Sequence, residues 1–349
     1  MSRLITYNYI CGNVSAKQFD NQNQFLLSSF EEYLESVDKA KSTIDQYMHD
    51  LKIFFTWNLN DNNNKPFTKI SKREFAKFQG NAINIWKWSS NRIRRVKSTI
   101  SSLSNYIENI LDEEEEFKDY HSIIRKIESP VCEPVRDKSV FEEMELQQLL
   151  DILVKNKRYK AACMLSLAMN SARRKAELPR FKVSYFTDDN TLYGSLYKTP
   201  EKIVTKGRGS KGKLLNLYVL KKSFDPYLKL WLEERKEKGI ESEWLFPKIT
   251  NPEEHITNDT MDEWKKQFNK ILKKENISDK EFYWHSMRHY MTTELVRNNI
   301  PANVIKGLIG WDSIEMVDIY TDLSTDDVLG NYFDENGIKD TKAGSISSL

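Results

Sequence analysis

The sequence predicts a mainly α-helical protein carrying a small antiparallel β-sheet, an α+β chain in two domains. Three observations lead there. Apolar residues recur at steps of three and four through residues 23–110, and again through 141–168, 224–237 and 260–320, the period of amphipathic helices. Short runs alternating apolar and polar residues are confined to 181–219. With 349 residues the chain is long for one domain, and a stretch with two prolines and no helical period, 128–140, separates the two helical regions.

Composition bounds the function. A hydrophobic share of 39% beside 30% charged residues allows real cores in a soluble chain. The net charge of +2 neither argues for nucleic acid nor against it, so the clustering of Lys and Arg has to decide. Cys11, Cys132 and Cys163 are odd in number and far apart, which suggests neither a disulfide framework nor a Cys-rich metal site, and fits a reducing compartment. No run approaches the roughly 20 apolar residues of a membrane span, and the amino terminus lacks the apolar centre of a secretory signal. A cytoplasmic protein is expected, nucleoid-associated if bacterial. The absence of a Gly-rich phosphate loop argues against an ATP-driven enzyme.

Taken in order, residues 1–20 show no period and form an unassigned arm. A helical domain is expected over 21–127. Its first face is Phe25, Leu26, Phe30, Tyr33, Leu34 and Val37, and its second runs from Ile44 through Leu51 to Phe55. Residues 60–66 (NDNNNKP) read as a turn, and Ser71 as the cap of a third helix. The fourth presents Ile93, Val96, Ile100, Leu103, Ile107 and Ile110 as a buried stripe. Arg92, Arg94, Arg95 and Lys97 cluster on that helix; they form either a solvated face or a row of DNA phosphate contacts. The acidic run 112–116 (DEEEE) reads as a solvated turn, since consecutive side chains cannot converge on one ion.

After the linker, 128–140, a second domain is expected over 141–333, followed by a polar tail, 334–349. It opens with helices at 141–154 and from 159, the latter delivering the chain to SARRKAEL, residues 171–178. Strands are expected at 181–185, 191–197, 202–205 and 214–219, with a basic turn, TKGRGSKGK, before the last. Two helices follow, over 224–237 and 260–274, joined through Trp244-Leu245-Phe246-Pro247. In the next helix His285 and Arg288 stand three apart and point the same way. Pro301 opens a further helix with the apolar face Val304, Ile305 and Leu308, which Gly310 ends. Asp312 and Glu315 resemble a capping box for the helix that closes on Tyr320. Beyond it, Val328, Leu329, Tyr332 and Phe333 make a short apolar face.

His285-Ser-Met-Arg288, Gly310-Trp311 and a Tyr nine residues after that Trp resemble, in this order, the carboxyl-terminal boxes of the tyrosine recombinase (phage integrase) family. The segment 171–178 resembles the family's first catalytic box, where Arg precedes Glu-Leu by three. That register selects Arg174 and leaves Arg173 as a neighbour pairing with phosphate or solvent. The resemblance implies a helical core-binding domain ahead of a catalytic domain, with the linker letting the two close around duplex DNA. It implies that Arg174, Lys206, His285, Arg288, Trp311 and Tyr320 are catalytic. In the family a hairpin Lys enters the minor groove and protonates the leaving oxygen; Lys206 matches, with Lys211 in reserve as a DNA contact.

The constellation suits attack on a phosphodiester. Two Arg residues can bind the non-bridging oxygens of the pentavalent state, Tyr320 can attack, His285 can take its proton or bind phosphate, and Trp311 can donate its indole N–H. Energy is kept in a phosphotyrosine bond, so no cofactor is expected. No metal is expected either: His285 and His289 share a helical face but lack the Glu of H-E-x-x-H. Expected partners are double-stranded DNA, other copies of the chain in a tetramer on two sites, and accessory DNA-bending or directionality proteins; no membrane is expected. A type IB topoisomerase, or a DNA-binding regulator without catalysis, is the competing reading.

Overall fold

The computed structural model describes residues 14–122, 124–131, 140–205, 211–320, 333–334 and 337–338. The chain divides into two compact units, one of Met1–Asp137 with Gly207–Gly212 and the other of Lys138–Lys206 with Lys213–Leu349.

Among its described residues the first unit holds four α-helices: α1 (Asn21–Ser36), α2 (Lys41–Asp61), α3 (Lys72–Asn84) and α4 (Ser90–Ile110). Their starts follow from local chemistry. Asp20 accepts from the amide of Gln22, Ser89 from that of Arg92, and Ser71 and Glu74 close a capping box at α3. One apolar core collects Leu26, Phe30 and Leu34 of α1, Leu51, Phe54 and Trp57 of α2, Phe75 and Phe78 of α3, and Ile93, Val96, Ile100, Leu103 and Ile107 of α4. The expected stripe on α4 is buried except for Ile110, which ends the helix and is 50% exposed while Leu111 turns inward. Asn23 is buried among apolar residues because both ends of its amide are used. It accepts from the amide of Phe67 and donates to the carbonyl of Lys65, tying the 62–67 loop to α1.

The second unit opens with α5 (Glu143–Lys155) and α6 (Tyr159–Ser171). Every residue from Ala161 to Ser171 is buried, so α6 is the central helix of this unit. Strands β1 (Thr191–Leu192), β2 (Leu196–Lys198), β3 (Ile203–Thr205), β4 (Lys213–Leu215) and β5 (Tyr218–Leu220) follow. Helices α7 (Lys221–Glu237), α8 (Asn258–Lys274), α9 (Ser286–Arg297), α10 (Ala302–Ile309) and α11 (Glu315–Tyr320) come next, and then β6 (Phe333–Asp334) paired with β7 (Gly337–Ile338).

The sheet departs from expectation in three places. Residues 181–185 are not a strand: Val183–Tyr185 is a 3-10 turn, with only an isolated bridge from Lys182 to Trp244, and Phe181 and Tyr185 both face the core. The expected strand 191–197 is a hairpin, β1 to β2, because Tyr193 and Gly194 take positive φ of 55° and 71° and reverse the chain. The expected strand 214–219 changes partner midway. β4 pairs with β3, whereas β5 pairs with β2, giving a sheet of order β1-β2-β5 beside a separate β3–β4 hairpin.

Candidate active site

Among the described residues, Arg174, His285, Arg288 and Trp311 all belong to the second unit. At the end of α6 the chain turns through Ala172, left-handed at φ 51°, and presents two arginines in opposite senses. The Arg174 side chain is 34% exposed, and its Nη1 donates to Glu177 Oε1 at 3.0 Å. Glu177 is buried. Burial works to raise its pKa, but the Arg174 amide and the guanidinium charges of Arg173 and Arg174 outweigh it and hold the carboxyl below its ordinary value. Arg173 points inward and is 1% exposed. Its Nε donates to the carbonyl of Ser171 at 2.7 Å and its Nη2 to that of Leu308 at 2.9 Å.

Helix α9 begins just after His285, whose backbone is already helical. Its first turn places Arg288 fully buried, with Nη1 donating to the carbonyl of Ala172 at 2.9 Å. The Arg288 guanidinium lies 5.0 Å from the centre of the Trp311 ring. His285 keeps one side open to solvent while its ring is crowded by this group, edge-on to that of His289 at 5.5 Å. Its pKa is pushed down to about 4, first by desolvation of the ring and then by the positive charge of His289, Arg288 and Arg174. Arg174, His285 and Arg288 therefore share one electrostatic neighbourhood, and His285 is a neutral acceptor at neutral pH.

Gly310, at φ 78°, ends α10 as expected and turns the chain so that Trp311 packs inward against Ala172, Met291, Leu295, Ile305 and Val317. On α10 the buried residues are Ile305 and Ile309, while Val304 is 47% exposed, so the apolar face is rotated from the one expected. Ser313 Oγ accepts from the Glu315 amide at the start of α11, and the Asp312 carboxylate pairs with Lys213 of β4 at 2.5 Å. Helix α11 packs against α9 and α10 and ends at Tyr320, whose side chain lies outside the described residues. So does Lys206. Lys211 is exposed at the near end of β4. Sequence reasoning missed the burial of Arg173, the Lys213–Asp312 pair and the approach of Leu215 to Gly310. None of them leaves a local pattern, because each joins segments far apart in the chain.

A match to the phage integrase family spans residues 139–326, taking in all of these groups, and one to the N-terminal SAM-like domain of phage integrases spans 26–115. The chain belongs to the phage integrase family of tyrosine recombinases. Among its relatives is the SPbeta prophage-derived recombinase-like protein YomM of Bacillus subtilis (strain 168), 30% identical over 231 residues, which is 66% of this chain and 66% of YomM. Tyrosine recombinase XerA of Pyrococcus horikoshii is 22% identical over 304 residues, covering 87% of this chain and 90% of XerA. In fold, this integrase-family chain is similar to XerH site-specific recombinase bound to palindromic difH substrate, at TM-score 0.62 and 19% identity over 94% of this chain and 92% of XerH. It is likewise similar to the lambda integrase dimer bound to a COC' core site, at TM-score 0.61 and 16% identity over 90% and 79% of the two chains.

The first unit, matched as the SAM-like domain, carries the expected cation cluster on α4. The Arg92 guanidinium lies 4.1 Å from the centre of the Trp88 ring, and Arg94 Nε donates to the carbonyl of Pro130 at 3.0 Å. Arg95 grips the buried Asp50 of α2 with two nitrogens, at 2.9 and 3.1 Å. Lys97 donates to the carbonyl of Ile127 and to Ser129 Oγ. Arg94 and Lys97 also line a shallow cavity with Ser98, Ser101, Ser102 and Asn105, a surface of hydrogen-bonding groups on the same helix. Among the described residues, no group of three His, Cys, Asp or Glu is placed to hold a metal, and no helix is long and apolar enough to cross a membrane.

Proposed function

We propose that the chain is a site-specific DNA recombinase that cleaves and rejoins DNA through a 3′-phosphotyrosyl intermediate, integrating or excising a mobile element. The observation that carries this reading is the gathering of Arg174, His285 and Arg288 in one electrostatic neighbourhood, with Trp311 against Arg288 and a packed helix ending at Tyr320. The phenol oxygen of Tyr320 attacks the scissile phosphorus and its proton passes to His285. The bond from phosphorus to the 5′ oxygen breaks, and that oxygen takes a proton from Lys206. Arg174 and Arg288 hold the non-bridging oxygens of the pentavalent state. His285 is a weak base in the free protein, depressed first by desolvation and then by the neighbouring cations; a bound phosphodiester offsets the cations' part and so raises its basicity when it is needed.

The cations of α4, with the hydroxyls and amide beside Arg94 and Lys97, supply DNA contacts from the first unit. YomM is described as prophage-derived, which supports the mobile-element reading. The assembly is a tetramer on two DNA sites, helped by accessory DNA-bending or directionality proteins, and it acts in the cytoplasm, on the nucleoid if the host is bacterial. Cleavage needs no divalent metal, because the two Arg, His285, Trp311 and Lys206 cover charge stabilisation and proton transfer. A suicide substrate nicked beside the cleavage site tests the assignment. The wild-type chain should be trapped on DNA in excess chelator, whereas Tyr320→Phe should bind and form no adduct. An adduct from Tyr320→Phe, or cleavage that returns only with magnesium, overturns the corresponding part.

A further inference from the structure

Arg173 has a chemistry that the reaction scheme leaves unused. A guanidinium 1% exposed is costly to desolvate, which lowers its pKa to about 10, and it is tolerated where its donors meet acceptors. Two of them do, and both acceptors are helix ends. The last carbonyls of an α-helix have no partner within the helix. At α10 the amides of Gly310 and Trp311 turn back to the carbonyl of Lys306, and that of Leu308 accepts from Arg173 Nη2. At α6 the carbonyl of its final residue, Ser171, accepts from Arg173 Nε. One planar group thus bridges the carboxyl ends of two helices, where a cation is also favoured by the helix dipoles.

The bridged segments are the ones that matter for chemistry. The turn 171–174 leads directly into Arg174, and its Ala172 carbonyl is held from the other side by Arg288. Leu308 stands three residues before Trp311, which belongs to the same buried apolar cluster as Ala172. The Arg173 charge also helps keep the buried Glu177 ionised, and Glu177 holds the Arg174 guanidinium.

We propose that Arg173 is a positioning residue of the active site: it clamps the 171–174 turn to the last turn of α10 and so fixes Arg174 and Trp311 for cleavage, in place of contacting DNA. This rests on the reading of Tyr320 as nucleophile given above. Lysine has a single nitrogen on a flexible stem, so it reaches one of the two carbonyls but does not reproduce the fork.

The test compares full-length wild type, Arg173→Lys and Arg173→Met on the nicked suicide substrate at saturating DNA. It reads the single-turnover rate constant, the final adduct amplitude, and DNA affinity against salt. The expected result is a rate constant at least tenfold lower for Arg173→Met, an intermediate one for Arg173→Lys, and amplitude per folded protein and salt slope unchanged. Rate constants within twofold of wild type overturn the proposal, as does a lower amplitude at an unchanged rate, the mark of a merely structural residue. A salt slope reduced by about one indicates a phosphate contact and also overturns it. Should Arg173→Met not fold, Arg173→Lys decides by the same criteria. No adduct from the wild-type chain overturns the nucleophile reading and this one with it, whereas normal adduct kinetics in the variants overturns this one alone.

Discussion

His285 and the two site arginines differ in how much of the fold depends on them. The imidazole titrates near 4 in the free chain, below the ordinary 6.5 of histidine. Between those values the unfolded chain binds the proton that the folded one refuses, so this group makes stability rise with pH from about 4 to 6.5 and contributes nothing to pH dependence above that window. NMR titration should find this depressed value and an upward shift when a phosphodiester-containing duplex is added; an unshifted His285 would remove the proposed reason for its basicity in the complex. For the arginines, Arg174→Ala and Arg288→Ala should each slow cleavage by about 10²–10³, the typical effect of losing a donor to a developing oxyanion. Melting temperature separates them. Arg174 is partly exposed but is the ion-pair partner of the buried Glu177, so its loss should lower the melt modestly, whereas Arg288 fills a buried space and its loss should lower it more.

At the scale of elements, two junctions are the most exposed to a single change. The first is where α10 passes into α11. Gly310 takes φ 78°, and a Cβ there would lie 2.5 Å from Leu215 Cδ1, so Gly310→Ala suffers backbone strain and displaces a side chain of the β3–β4 hairpin. A destabilisation of roughly 1–2 kcal/mol is expected from the left-handed residue alone. A larger fractional loss in cleavage rate than in DNA affinity should accompany it, since the shift lands beside Trp311. Denaturant melts and single-turnover assays on the same preparation check both. The second junction joins α2 to α4. Arg95→Ala leaves the fully buried Asp50 without its two-pronged partner, while Asp50→Ala leaves only a half-exposed guanidinium. The first should therefore cost more, though less than the about 3–5 kcal/mol of breaking a wholly buried pair, because solvent already screens Arg95. Equal effects in urea melts would count against the asymmetry.

Over the whole molecule, the apolar residues of the first unit make one core, and those of the second make cores of their own. Each unit accordingly has an apolar core of its own. Residues 1–137, expressed alone, should melt cooperatively by circular dichroism and bind duplex DNA weakly, with strong salt dependence. A fragment that stays unfolded would show that its core needs the other half. Assembly is tested at the other end. If the face of Val328, Leu329, Tyr332 and Phe333, the first three of which lie outside the described residues, docks on a neighbouring copy, as the family resemblance implies, truncation after Ser324 should spare DNA binding and abolish strand exchange between two duplexes. A truncated chain that recombines normally overturns docking in trans, and a full chain that only relaxes supercoils as a monomer favours the topoisomerase.

What the sequence determined by itself is whatever repeats locally. Most of the stripe on α4, the Ser71 cap, the end of α10 at Gly310 and the ordered boxes from Arg174 to Tyr320 were legible because each depends on spacing within a few turns. Only the tertiary structure decided what depends on distant partners. Residues 181–185 alternate like a strand yet form a 3-10 turn, because Phe181 and Tyr185 both find the core there and just one residue finds a strand partner. The run 214–219 serves two partners, since β3 and β2 each compete for it. As neighbouring cations Arg173 and Arg174 look alike, and in the sequence only the register to Glu177-Leu178 favours Arg174. The left-handed turn at Ala172 sends one into the protein to meet helix carbonyls and leaves the other at Glu177, partly exposed.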